Sequence, residues 1–272
     1  MVDIPHPISP PHTRAGVDAL RRLGRFLRKS FYWAWLDTVC QYRRSRIGPF
    51  WETINVAVMI AGLTVVSSAV FGGNIRAHMG YIGAGVIAWS AISALITEGP
   101  GTFVRHHALI ASTNIDVEVY VGRTVFKILI TFAHHLIIYA IGAALLIVPV
   151  GWASLLALPG IVLIFINGYW LATVLAFVCA RFRDVELIVR NLLQLAFFVT
   201  PVFWDYTQVA ADRRFIVDDN VLFHFLQIVR APLLGEIPTA QNYAVVAAIT
   251  VIGSALAFVV RRRMRRELAY FV

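Results

Sequence analysis

Cysteine is nearly missing from this chain. Cys40 and Cys179 are the only two in 272 residues, one in a basic leader and one at the edge of an apolar run. Two isolated thiols make neither a disulfide framework nor a metal-site spacing. Charge is scarce as well, at 14% Asp, Glu, Lys and Arg. Set against 59% hydrophobic residues and a mean hydropathy of +0.73, that excludes an ordinary soluble domain. No acid stands inside an apolar run; Glu52, Glu98 and Asp184 sit at edges. Ion-coupled pumps place carboxylates mid-membrane as relays, so that energy source is not expected here. His134 and His135 are the only ionisable groups at mid-run, and two readings are open for them: a proton relay, or hydrogen bonds between helices.

Catalytic signatures are missing too. The phosphate-cradling pattern G-x-x-x-x-G-K-[ST] does not occur. Gly24 to Ser30 comes near it, with Arg28 where a glycine is needed, and lies on an amphipathic helix rather than after a strand. Gly83-Ala84-Gly85 with Ala88 loosely resembles a dinucleotide turn, but inside an apolar run it reads as helix packing. There is no H-E-x-x-H and no G-x-S-x-G. No cleavable signal peptide is expected, because residues 1–50 hold no uninterrupted apolar core.

What the chain does have is a set of apolar runs near or above the roughly 18 residues that cross a bilayer core. Spans are expected over about 54–71, 81–96, 125–148, 155–178, 180–204 and 243–260. Of the 24 Lys and Arg, only Arg76, Arg213, Arg214 and Arg230 then fall on the outer side. Six spans with both ends inside give this bias. The net charge of +9 follows from that placement, and no nucleic-acid partner is expected. The organisation is a loose, proline-rich tail over 1–16, an amphipathic cytoplasmic interface helix and turn over 17–50, a six-span domain over 51–262 and a basic cytoplasmic tail over 263–272. In the leader, Leu20, Leu23, Leu27, Phe31 and Ala34 share one face, with Arg21, Arg22, Arg25, Arg28 and Lys29 on the other. That suits a helix in the headgroup layer of a membrane, and a soluble helix packed on a partner is the competing reading.

Three stretches carry the candidate chemistry. In 180–204, Arg190, Gln194, Phe197 and Pro201 fall close to one helical face. A polar stripe of this kind needs protein or water opposite it, so the helix either lines a conduit or glues helices together. Tyr169 and Phe198, with Trp170, Phe177, Phe203 and Trp204, supply flat faces over which sugar rings could slide; an aromatic belt is the alternative. Arg43, Arg44 and Arg46 precede a Gly48-Pro49 turn, and their guanidinium forks match phosphate oxygens, although positive-inside charge alone also explains them. In the outer segment 205–241, Val221–Val229 is apolar but too short to span. It reads as a re-entrant helix forming an outer gate, with Phe223, Phe225 and Leu226 as its core, or as a helix lying flat on the surface.

Taken in order, three motifs resemble the integral membrane subunit of type-2 ABC exporters for polysaccharides and polyol phosphates, which include the O-antigen, teichoic acid and capsule permeases. They are Tyr42-Arg43-Arg44-Ser45-Arg46-Ile47-Gly48-Pro49-Phe50-Trp51, then Ala180-Arg181-Phe182-Arg183-Asp184 running on to Thr200-Pro201-Val202-Phe203-Trp204, then His224 through Gly235. The last departs from the pattern, with Asp219-Asn220-Val221 in place of a usual Asn-Pro pair, which leaves the start of the outer piece open. The resemblance covers about residues 20–272. It implies a homodimeric pore in the bacterial inner membrane, each copy docked on a cytoplasmic ATPase that holds ATP and Mg, with no cofactor in this chain. The leader and the 97–123 loop, through Arg105, His106, His107 and Asp116, would contact that ATPase. The cargo would be a glycan on a lipid pyrophosphate carrier such as undecaprenyl, as in lipopolysaccharide assembly. Its head group would meet Arg43, Arg44 and Arg46. Two other functions remain open: an exporter of a drug or plain lipid, or a membrane-embedded lipid-linked-sugar transferase or phosphatase built around Asp184 and Glu186.

Overall fold

The computed structural model describes residues 11–43, 45–113, 115–145 and 147–264. The outer parts of the expected tails, 1–10 and 265–272, and Arg44 lie outside the described residues. Among the described residues every regular element is helical. Five helices are long and apolar enough to cross a membrane. They are α2 (Phe50–Phe71), α3 (Ile75–Glu98), α6 (Val117–Ala144), α7 (Ala157–Arg181, entered through a 3₁₀ turn over Trp152–Leu156) and α11 (Ala240–Met264). The leader is α1 (Pro11–Tyr42). Short helices α4 (Thr102–Arg105) and α5 (His107–Ser112) fill the loop before α6, and α8 (Asp184–Val199), α9 (Phe215–Asp218) and α10 (Val221–Leu233) lie between α7 and α11.

The apolar runs read from the sequence correspond to these helices, with four differences. First, α1 begins at Pro11, inside the stretch expected to be a loose tail. The described residues of that stretch continue without a break into the leader helix. Second, α6 begins at Val117 rather than about 125, since Val119, Tyr120 and Val121 are buried and extend the helix into the expected polar loop.

Third, the leader packs on α6 through a different face from the leucine stripe. Ser30, Ala34 and Thr38, spaced by four, are buried there, and Ser30 lies against Gly122. Ala34, expected on the lipid face, is therefore in the seam, while Leu20 (70% exposed), Leu23, Leu27 and Phe31 remain open. An ion pair of Asp37 with Arg123 ties the seam, and the Arg123 guanidinium stacks 5.3 Å from the Trp33 ring.

Fourth, α8 has only 16 helical residues. At 1.5 Å per residue it is about 24 Å long, short of a roughly 30 Å hydrocarbon core. Pro201 sets its end: the residue before a proline is pushed out of the helical region, and Thr200 is extended at ψ 131°. At the other end Phe182 is extended and breaks the chain between α7 and α8.

Helix α3 is the centre of the bundle and packs against α2, α6, α7, α8 and α10. Its small residues allow that. A Cβ on Gly85 would lie 2.6 Å from the Val202 carbonyl oxygen. On α7, a Cβ on Gly160 would lie 2.2 Å from the Ile228 carbonyl oxygen of α10. Helices can approach this closely in lipid only with glycine at the crossing. Gly160→Ala is expected to destabilise the protein by roughly 1–3 kcal/mol, because the added methyl must push backbone aside. Gly62→Ala, where no atom stands within 4 Å, should be neutral or stabilising. Thermal unfolding of the two variants in detergent checks the contrast.

Candidate functional site

Between α8 and α10 the chain is irregular, and part of it is buried: Thr200, Pro201 and Val202 are inside the bundle. Non-helical backbone away from water must find partners. Val202 brings its carbonyl into the close contact with Gly85. The Thr200 hydroxyl accepts a bond from the Asn220 side-chain amide at 3.0 Å. Asn220 also caps α10, its Oδ1 accepting from the Leu222 N–H at 3.0 Å and the Phe223 N–H at 3.3 Å. That settles where α10 starts, at the position the sequence left open.

The Pro201 carbonyl is held by Arg230. This arginine is 0% exposed and is the largest fully buried side chain among the described residues. Its Nε donates to Gln227 Oε1 at 2.9 Å, and Gln227 Nε2 donates to the Tyr206 hydroxyl at 3.0 Å. The guanidinium lies 4.5 Å from the Tyr81 ring centroid and 5.5 Å from that of Tyr206, in cation–π geometry. One nitrogen, Nη2, has no hydrogen-bond partner among the described residues. Nearby, buried His224 bridges the Asp218 carbonyl and the Asn242 side chain, both at 2.8 Å. Sequence reasoning counts Arg230 as one of four outer-side cations and misses this joint. The signal available is an arginine at the end of an apolar run, three residues after Gln227.

The expected outer-gate residues Phe223, Phe225 and Leu226 are all buried, on an α10 that packs among α3, α7 and α11. Of the expected conduit residues, Phe197 is half-buried and stacks on Phe203 at 5.5 Å and against Trp89 at 5.7 Å, while Phe198 packs at 5.6 Å from Phe197. Arg190 and Gln194 are exposed, and Arg190 Nη2 donates to Glu186 Oε1 at 2.7 Å. Tyr169 is not with them. It lines an apolar cavity of about 520 Å³ between α1, α6, α7 and α11, where its ring meets Phe26 at 5.8 Å.

At the other end, Arg43 and Arg46 are exposed in the turn between α1 and α2, and neither has an acidic partner among the described residues. Gly48 at φ +63° closes that turn, its N–H donating to Ser45 Oγ at 3.0 Å. The four residues expected at an ATPase differ in presentation. His107 and Asp116 are exposed. Arg105 is exposed but paired with Glu98 at 3.2 Å. His106 turns inward, its Nδ1 donating to the Thr102 carbonyl at 2.8 Å and its ring facing Tyr120. Of the mid-span histidines, His135 bonds Ser90 of α3 at 2.9 Å, and His134 bonds its own helix at the Ile130 carbonyl.

Both the buried joint and the loop before α6 can be probed. Arg230→Met should cost about 2–4 kcal/mol, since it strands the Pro201 carbonyl and Gln227, and Arg230→Lys should not restore it, because a point ammonium cannot serve both; limited proteolysis in 205–219 and thermal melts read this. Burial lowers the His106 pKa from its ordinary value of 6.5. The unfolded segment then takes up the proton first, so stability is lost as the pH falls through that value. The protection of amides across 102–112 from exchange, taken relative to their intrinsic rates, should therefore fall between about pH 7 and pH 5, and His106→Gln should flatten the change. A scan against protein-family models finds no match for the chain, and a search of curated proteins finds no significant match either. By the length and hydropathy of its helices the chain is a multi-pass, all-helical membrane protein with five membrane-length apolar helices among the described residues.

Proposed function

We propose that this chain is the permease subunit of an ATP-driven exporter that moves a lipid-linked polysaccharide out across a bacterial inner membrane. In this reading six segments cross the bilayer, α8 with the Thr200–Trp204 extension being the fifth, and both termini are cytoplasmic. Helix α10 is the re-entrant outer piece, held at its depth by Arg230. Two copies enclose the passage, and ATP and Mg are bound by a separate cytoplasmic ATPase.

One observation carries the proposal. Leu193 is the only buried residue of α8, so the helix that bears the polar stripe is the least covered of the long elements between α7 and α11. Arg190, Asn191 and Gln194 are exposed on it beside exposed Leu187, Ile188 and Leu195. Lipid satisfies the apolar face but not the side-chain amides of Asn191 and Gln194, whereas Arg190 already has Glu186. A second copy across a water-filled passage satisfies both. The exposed forks of Arg43 and Arg46, without an acidic partner among the described residues, suit a pyrophosphate head group arriving at the membrane edge.

In a chain with Cys40 replaced by serine, which leaves only buried Cys179, Gln194→Cys should react with a water-soluble maleimide in native membranes and Leu195→Cys should not. Equal shielding of the two introduced thiols overturns the passage. Affinity purification from the native host should bring down an ATPase and a glycolipid, both identified by mass spectrometry. Recovery of the chain with neither, or uphill transport by the chain reconstituted alone, overturns the exporter reading.

A further inference from the structure

Where α1 ends, α2 begins and α3 ends, a cavity of about 310 Å³ opens between these helices and α6. It is separate from α8 and from the Arg230 joint. Tyr42, Glu52, Ser90, Glu98, Lys127 and His135 are among its lining residues. Glu98 is committed to Arg105. Glu52 and Lys127 have no ion-pair partner within 4.0 Å among the described residues. One unpaired carboxylate and one unpaired ammonium thus face the same space.

His135 adds a directional demand. The Ser90 hydroxyl donates its hydrogen to the Ile87 carbonyl at 2.7 Å, so its oxygen can only accept from His135 Nδ1 at 2.9 Å. The neutral ring then carries its hydrogen on Nδ1, and Nε2 is a bare acceptor. Nε2 is buried and has no hydrogen-bond partner among the described residues. Such a group is costly unless a donor reaches it. Glu52 is likewise an acceptor, whereas Lys127 offers only donors. In the same lining, burial and then the Glu52 charge raise the Tyr42 pKa, keeping the phenol a neutral O–H.

The geometry points to a binding site for a zwitterionic phospholipid headgroup of the phosphoethanolamine class, its primary ammonium on Glu52 and His135 and its phosphate on Lys127. A phosphocholine carries the same two charges but no N–H, so it cannot satisfy the acceptors. An anionic glycerophosphate has no ammonium and leaves Glu52 facing like charge. The volume is at the small end of ligand pockets, which run from roughly 300 Å³ upward, and suits a headgroup whose chains stay in the bilayer. The site depends on the chain being in a membrane and not on what it exports.

The test is native mass spectrometry of the full chain, delipidated and offered phosphatidylethanolamine and phosphatidylcholine with identical acyl chains at equal mole fraction. The ethanolamine lipid should be retained over the choline lipid by roughly tenfold, the worth of one charge-assisted hydrogen bond. Glu52→Gln and Lys127→Met should each bring that ratio towards one. Excess soluble O-phosphoethanolamine distinguishes the sources: displacement assigns recognition to the headgroup alone, and resistance assigns it to the intact lipid. Equal retention of the two lipids by the unaltered chain overturns the proposal and makes the cavity a water pocket. That comparison needs no variant, so a substitution that fails to fold does not weaken it, and it stays readable if the exporter reading fails.

Discussion

A fully buried guanidinium governs how this bundle closes at one end. Arg230 is sealed from water on α10, yet among the described residues no acid stands at hydrogen-bonding distance; it is held by a carbonyl, an amide oxygen and two aromatic faces. Removing a charge from water costs several kcal/mol, so each of these contacts is required rather than decorative. The need is mutual. Pro201 ends α8 and leaves its carbonyl without a helical partner, and Arg230 is the group that reaches it. Around that bond the rest of the joint assembles: Asn220 on Thr200, Gly85 under Val202, and Tyr81 and Tyr206 over the guanidinium.

The opposite end has a second joint of different chemistry. There the leader lies along α6, sealed by small side chains and by the Asp37–Arg123 pair. Both joints anchor elements to the α3–α6–α7 centre. Helix α8 is covered on one face, where it packs on α3 and α7 with Leu193 buried and Phe197 against Trp89 and Phe203, and its polar face is open.

Much of the architecture is legible in the residues. Long apolar runs become helices because backbone groups in hydrocarbon have no other partners, and this holds whatever the neighbours are. Gly85 reads as a packing residue, and it is one. The expected fifth span is less secure. Hydropathy averages over a window and cannot see that Pro201 stops the helix at 16 residues. Tyr169 groups with the α8 aromatics when only consecutive apolar runs are compared, whereas α7 turns that ring towards Phe26 on the leader. Arg230 reads as a loop cation because its position along the chain suggests an exposed edge.

Composition and periodicity by themselves determined that the chain is helical and membrane-embedded, and where the five membrane-length helices among the described residues lie. These are properties of each segment in its solvent, so they need no partner to be known. The tertiary structure alone decided which face of the leader is buried, that an arginine near the end of an apolar run is sealed from water, and that Glu52, Lys127 and His135 share one cavity. Those depend on what stands opposite each side chain, and residues from different helices meet there only after the helices have packed.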